Sequence, residues 1–124
     1  MTRMTRQRRA ILTAFEATQR PLSPVEVADA VRDAGDTGIN LATVYRNIRS
    51  MVDAGQLTAV RVLGQPARYE PAGLGHHHHF HCDGCDRVFD LPPCPSTLLR
   101  GLAPPGFAVS GHELQLTGQC PECR

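Results

Sequence analysis

The chain has 124 residues, 41% of them hydrophobic and 5% aromatic, with no Trp, so one domain or two small ones can form and each core must be small and aliphatic. A core of that size calls for a staple such as a metal, a disulfide or a partner subunit. The net charge of +1 conceals a split of ten Arg against seven acids in residues 1–70 and three Arg against five acids in residues 71–124, which puts any polyanion-binding surface in the first half.

No apolar run is long enough to span a bilayer, and no long apolar stretch follows the basic residues 1–9. This speaks against a secretory signal and sets the expectation of a cytoplasmic protein with no membrane partner. In a reducing compartment the five Cys read as metal ligands before disulfides. All thirteen basic residues are Arg, which GC-rich coding is enough to explain.

Thr5 can cap a first helix carrying Ala10, Ile11, Leu12, Ala14 and Phe15 on one face, broken at Arg20-Pro21-Leu22. Ser23-Pro24-Val25-Glu26 then reads as a helix start. Ser23 caps, Pro24 suits the first helical position, and Glu26 completes a capping box. This second helix carries Val27, Ala28 and Val31 and stops at Gly35. After the turn Asp36-Thr37-Gly38-Ile39, Asn40 caps a third helix with Leu41, Val44, Tyr45, Ile48, Met51 and Val52 at spacings of three and four, ended by Gly55. Residues 57–63, the turn Gly64-Gln65-Pro66 and residues 67–70 read as a β-hairpin. Three short helices and a hairpin make a winged helix-turn-helix.

Pro71-Ala72-Gly73-Leu74-Gly75 reads as a hinge, drawn at 72–75. Beyond it the chain is strand-like. Residues 79–91 form a predicted hairpin around Cys82-Asp83-Gly84-Cys85, residues 96–102 a short helix, and Phe107-Ala108-Val109 and Leu114-Gln115-Leu116 two strand segments. The predicted class is α+β, with a winged-helix domain over 1–71 and a small α/β domain over 76–124.

Cys82-x-x-Cys85 and Cys120-x-x-Cys123 are separated by 34 residues. Two residues between thiolates let both sulfurs face one ion from a tight turn, and two such turns close a structural four-sulfur zinc site. A redox dithiol is the competing reading, but it needs only one pair, after a strand and opening a helix.

The run at 76–79 is four consecutive His. If extended, it turns His77 and His79 one way and His76 and His78 the other, so one segment can supply two ligands to each of two metals. Glu70 and Asp90 can join His77 and His79, and Cys94 and His112 can join His76 and His78. The sulfur in the second set favours zinc, while imidazole by itself suits several transition metals. Read singly, the run is a solvated loop with weak metal affinity, Cys94 a buried or reactive thiol, and His81, beside Cys82, a residue that supports a ligand from behind or a packing residue.

The third helix is the candidate recognition helix. Leu41, Val44, Ile48 and Met51 or Val52 face the core, and Ala42, Thr43, Tyr45, Arg46 and Arg49 include the residues that meet DNA. Tyr45 reads equally as core or contact. Arg61 and Arg68 on the wing, and Arg6, Arg8 and Arg9 at the start, are candidate phosphate ligands.

Taken together, Thr5-Arg6-Gln7-Arg8, Leu41-Ala42-Thr43-Val44-Tyr45-Arg46, Ala67-Arg68-Tyr69-Glu70, the His run with its CxxC, and Gly118-Gln119-Cys120-Pro121-Glu122-Cys123 resemble the ferric uptake regulator family over nearly the whole chain. The resemblance implies a homodimer, with 76–124 as the dimerisation domain, that binds palindromic, AT-rich double-stranded DNA operators when metal-loaded and represses metal-uptake or defence genes. It implies structural zinc (Zn2+) on Cys82, Cys85, Cys120 and Cys123. Glu70, His77 and His79 match a regulatory site, Asp90 a carboxylate that completes it in some members, and His76, His78 and His112 a further site. Many members carry a His before the second helix, where Pro21-Leu22 stands here. Cys94 stands near the place of the further site's acidic ligand. Both departures lean toward zinc uptake regulators and away from iron or peroxide sensors, with Zn2+ at the regulatory site and Fe2+, Mn2+ or Ni2+ as the alternatives. A start shorter than many members' implies fewer arm contacts to DNA. A zinc-dependent enzyme is the other class, but no HExxH or comparable motif is present, so the expectation is no enzyme.

Overall fold

The structure, a computed structural model, describes residues 6–62 and 64–124; the predicted cap Thr5 and Leu63 of the hairpin lie outside the described residues. The chain divides into two units, Met1–Gly73 and Leu74–Arg124.

The first unit opens with α1 (Arg6–Thr18), α2 (Pro24–Asp33) and α3 (Leu41–Asp53). Each helix buries one stripe, because residues three and four apart share a face. Ile11, Ala14 and Phe15 come from α1, Val27, Ala28 and Val31 from α2, and Val44, Ile48 and Met51 from α3. They close on one core with Leu22, Ile39 and Leu57. The helix starts are set by short-range bonds. Ser23 Oγ accepts from Glu26 N at 3.2 Å while Glu26 Oε1 accepts from Ser23 N at 3.0 Å, and Asn40 Oδ1 accepts from Thr43 N at 2.8 Å. Gly35 and Gly55 follow the ends of α2 and α3 at φ +114° and +76°, where a Cβ would be strained. Leu41 departs from expectation. It is 37% exposed, because Thr43 fills the inward position of the first turn.

Strands β1 (Leu57–Val60) and β2 (Arg68–Pro71) form the predicted antiparallel hairpin, with Val60 opposite Arg68. Leu22 bridges to Tyr69 through two backbone bonds of 2.9 Å, so the α1–α2 connection joins the free edge of β2. This anchors the wing to the helical core.

The second unit holds β3 (His79–Cys82), β4 (Val88–Asp90), α4 (Ser96–Arg100) and β5 (Gln115–Gly118), in the sheet order β4-β3-β5. β3 and β4 are antiparallel, and β5 runs parallel to β3 after the long crossover that parallel pairing requires. Residues 107–109 form no strand. This apolar triplet follows Pro104-Pro105-Gly106 and pairs with no sheet edge among the described residues, and Phe107 and Val109 stay exposed. The buried side chains of this unit, among the described residues, are His78, His81, Cys82, Val88 and Cys120. Val88 is thus the one fully buried aliphatic side chain among the described residues of this unit, a core small enough to call for a metal, a disulfide or a partner subunit.

Candidate metal centres and nucleic-acid interface

Both cysteine pairs sit in tight turns. β3 ends at Cys82, and Asp86, at φ +60°, turns the chain back so that Cys82 N donates to Arg87 O at 3.0 Å. The parallel register sets Cys82 beside Gly118, and Asp83 N donates to Gly118 O at 2.7 Å, which delivers the second pair onto the first. The four sulfurs lie within 4.8 Å of one another, and Cys85 Sγ and Cys120 Sγ are 3.8 Å apart. A tetrahedron with Zn–S bonds of about 2.3 Å has edges of about 3.8 Å, so the donor set fits zinc.

The electrostatics agree. Cys120 N donates to Cys82 Sγ at 3.3 Å, and this bond leads those that bring the Cys82 thiol down to about 6. The Cys120 and Cys82 sulfurs push Cys123 up to about 12. Four thiolates at this spacing repel one another unless a cation sits among them. Gly84 has no room for a side chain, since a Cβ would lie 2.8 Å from Cys123 Cβ and 2.9 Å from its sulfur.

The His run splits as alternation predicts. His79 lies on β3 opposite Asp90 on β4, and Asp90 Oδ1 is 3.3 Å from His79 Nε2 and 3.5 Å from His77 Nε2. His77 Nδ1 lies 2.8 Å from the Gly75 carbonyl, which leaves Nε2 to the ligand side. Glu70 lies on β2, opposite Thr58.

On the other side, His112 Nε2 is 3.0 Å from both His76 Nε2 and His78 Nε2 and 3.1 Å from Cys94 Sγ, which is itself 3.2 Å from His78 Nε2. One ring proton can bridge only one of these contacts, whereas a metal ion satisfies all four donors. Burial, then the charges of His76 and His112, lowers the pKa of His78, a shift toward the neutral form that ligates metal.

Of the predicted DNA contacts, Ala42, Tyr45, Arg46 and Arg49 on α3, Arg61 beyond β1 and Arg6 at the start of α1 are exposed. Tyr45 is 52% exposed, which makes it a surface residue and not core. Tyr45, Arg46, Arg49, Ala59 and Arg61 line an open groove of about 490 Å³ between α3 and the hairpin. Thr43 is turned inward, its Oγ1 accepting from Arg46 Nη2 at 3.3 Å.

Arg8 and Arg68 correct the sequence reading. Arg8 is 8% exposed and donates to Gln56 Oε1 at 2.7 Å, and Arg68 is 5% exposed and donates from Nε to Glu26 Oε1 at 3.1 Å. Both guanidiniums face inward to acceptors that the tertiary fold supplies, so neither is offered to phosphate.

Around the cysteine turns and Cys94 stand supporting groups, of which sequence reasoning marked His81 and missed Ser96 and the Arg87–Glu122 pair. Ser96 Oγ donates to Cys94 Sγ at 3.4 Å. His81 Nε2 lies 3.1 Å from Asp86 Oδ1, bracing the first cysteine turn. Arg87 Nη1 donates to Glu122 Oε2 at 2.8 Å, clasping one turn to the other. The signal for the last pair was present: opposite charges stand next to, and inside, the two CxxC motifs.

The Ferric uptake regulator family model matches residues 1–117. The zinc uptake regulation protein of Mycobacterium tuberculosis is 30% identical over 124 residues, spanning 98% of this chain and 95% of that protein. The ferric uptake regulation protein of Campylobacter jejuni is 27% identical over 122 residues, spanning 96% of this chain and 78% of that protein. The solved structure of a zinc-bound manganese uptake regulator superposes with a TM-score of 0.85 at 28% identity, covering 96% of this chain and 91% of the other.

Proposed function

The chain belongs to the ferric uptake regulator family, whose members are metal-dependent transcription regulators and not enzymes, and from that premise we propose that it is a cytoplasmic, homodimeric repressor of zinc-homeostasis genes that binds a palindromic operator when metal-loaded. The observation that carries the reading is the alternation of the His run onto two donor sets, beside a separate four-cysteine set.

In this reading Cys82, Cys85, Cys120 and Cys123 hold a structural Zn2+. His77, His79 and Asp90, with Glu70 from the end of the wing strand, form the regulatory site. Bound metal there supplies a clamp across the hinge. Two recognition helices in a dimer meet successive half-sites only at one mutual angle, so a clamped hinge favours operator binding. A coupling of about 1–3 kcal/mol changes operator affinity about 5- to 150-fold. Ala42, Tyr45, Arg46 and Arg49 read the major groove, and Arg61 holds phosphate. Leu98, Leu102 and Phe107, exposed in the second unit, supply apolar surface for the dimer.

Two observations favour zinc, the second of them against Fe2+ alone. Cys94 brings a thiolate to the second donor set, with His76, His78 and His112. Leu22, where many members carry a His nearby, is 1% exposed and bridged to Tyr69, and it offers no donor.

The test is binding to the protein's own upstream DNA at buffered free Zn2+, Fe2+, Mn2+ and Ni2+. Zn2+ should act at the lowest free concentration. His77→Ala and His79→Ala should remain dimeric and lose metal-dependent binding. Wild-type-strength binding by both variants, with and without metal, would overturn the reading.

A further inference from the structure

The two His-containing donor sets share their backbone. His76 and His78 serve one set, and His77 and His79, on the same four residues, serve the other. The facing segment behaves likewise, since Asp90 serves one set and Cys94, four residues on, the other. The two segments are laced together. His79 pairs with Asp90 across the sheet, and Leu91 N donates to His78 O at 2.9 Å. His77 is oriented by the carbonyl of Gly75, the residue just before the run. The placement of His77, His79 and Asp90 therefore depends on the two stretches that ligands of the other set would pin at His76, His78 and Cys94.

We propose that an ion held by His76, His78, Cys94 and His112 orders residues 75–79 and 90–94 and thereby raises the metal affinity of the His77, His79 and Asp90 set. This rests on the reading of both sets as metal sites and adds a regulation of the second by the first. The physical basis is shared ordering entropy. The first ion immobilises the segments, and the next ion then binds to donors already in place. The first centre draws four donors, one of them a thiolate, from a single unit, so it fills first. Coupling is reciprocal, so the two ions load together over a narrower range of free metal than independent sites would.

The experiment is a Co2+ titration of full-length protein that retains zinc on its four cysteines. With those sulfurs occupied, a near-ultraviolet thiolate-to-cobalt charge-transfer band reports Cys94 alone, and ligand-field absorption counts the ions. In the wild type the charge-transfer band should saturate before the last ion binds. His112→Ala and Cys94→Ser lie far apart in the chain, and each should abolish the first ion. Each should also weaken the remaining one, about 5- to 150-fold. Zinc content and far-ultraviolet circular dichroism verify that both variants are folded. Wild-type affinity for the remaining ion in both variants overturns the coupling while leaving both centres standing. A cobalt stoichiometry unchanged in His79→Ala overturns instead the reading of the His77 set as a metal site, and the coupling with it.

Discussion

Arg68 Nε donates to Glu26 Oε1 at 3.1 Å, joining strand β2 of the wing to the first turn of α2. The same carboxylate accepts the Ser23 backbone N–H at 3.0 Å and Arg20 Nη1 at 2.9 Å. One side chain thus caps a helix, neutralises two guanidiniums and sets the wing against the helical core. Glu26→Gln keeps the shape and removes the charge. It should destabilise the first unit by roughly 2–3 kcal/mol, below the range for a fully buried pair because Glu26 keeps some solvent contact. Urea denaturation checks this, and an unchanged midpoint would refute the assignment.

The same group makes stability depend on pH. Burial pushes the Glu26 carboxyl up, but the Ser23 N–H and the Arg20 and Arg68 charges outweigh it and hold the carboxyl below its usual value. A carboxyl depressed in the folded state stabilises the fold above its unfolded pKa of about 4.3, and that contribution is lost as pH falls through the lower folded value. Melting temperature should therefore drop with acid below about pH 4.3, less steeply in Glu26→Gln than in the wild type. Parallel curves would show that Glu26 is not the group responsible.

Because the second unit buries so little apolar surface, its fold should depend on zinc. Cys82→Ser or Cys120→Ser should release the ion and unfold residues 74–124 while α1–α3 persist. Gly84→Ala should act in the same direction more mildly, since the new methyl meets Cys123 at 2.8 Å. Zinc content, together with hydrogen exchange resolved by unit, measures both effects. A zinc-free Cys82→Ser protein with a protected second unit would contradict the prediction.

The exposed and inward arginines should separate by salt dependence. Arg49→Ala and Arg61→Ala should each reduce the slope of log affinity against log salt by about 1. Arg8→Ala and Arg68→Ala should leave that slope unchanged and lower stability instead, as their partners are Gln56 and Glu26. A reduced slope in Arg8→Ala would show that this side chain does reach phosphate.

How much of this was legible beforehand follows from the range of the interactions. The capping box at Ser23 and Glu26, the Asn40 cap, the turns after α2 and α3 and the two CxxC turns all close within five residues, and each is found where the sequence predicts. The sorting of His76 and His78 from His77 and His79 is equally local, because extended backbone sends successive side chains to opposite sides. The triplet 107–109 failed as a strand for the converse reason. Its apolar residues carry β propensity, but a strand exists only where another edge accepts its hydrogen bonds, and none among the described residues does.

Which residues carry donor atoms, and in what alternation, is written in the chain alone, because side-chain chemistry and backbone period are properties of neighbours along it. Tertiary structure decided which donors meet. The parallel pairing of β5 with β3 brings Cys120 and Cys123 to Cys82 and Cys85, and the long crossover before it delivers His112 to a run 34 residues earlier. It also decided that Arg8 and Arg68 turn inward, since the acceptors that hold them, Gln56 and Glu26, lie 48 and 42 residues away. A charge in a sequence does not say which way it points; the partner that folding places beside it does.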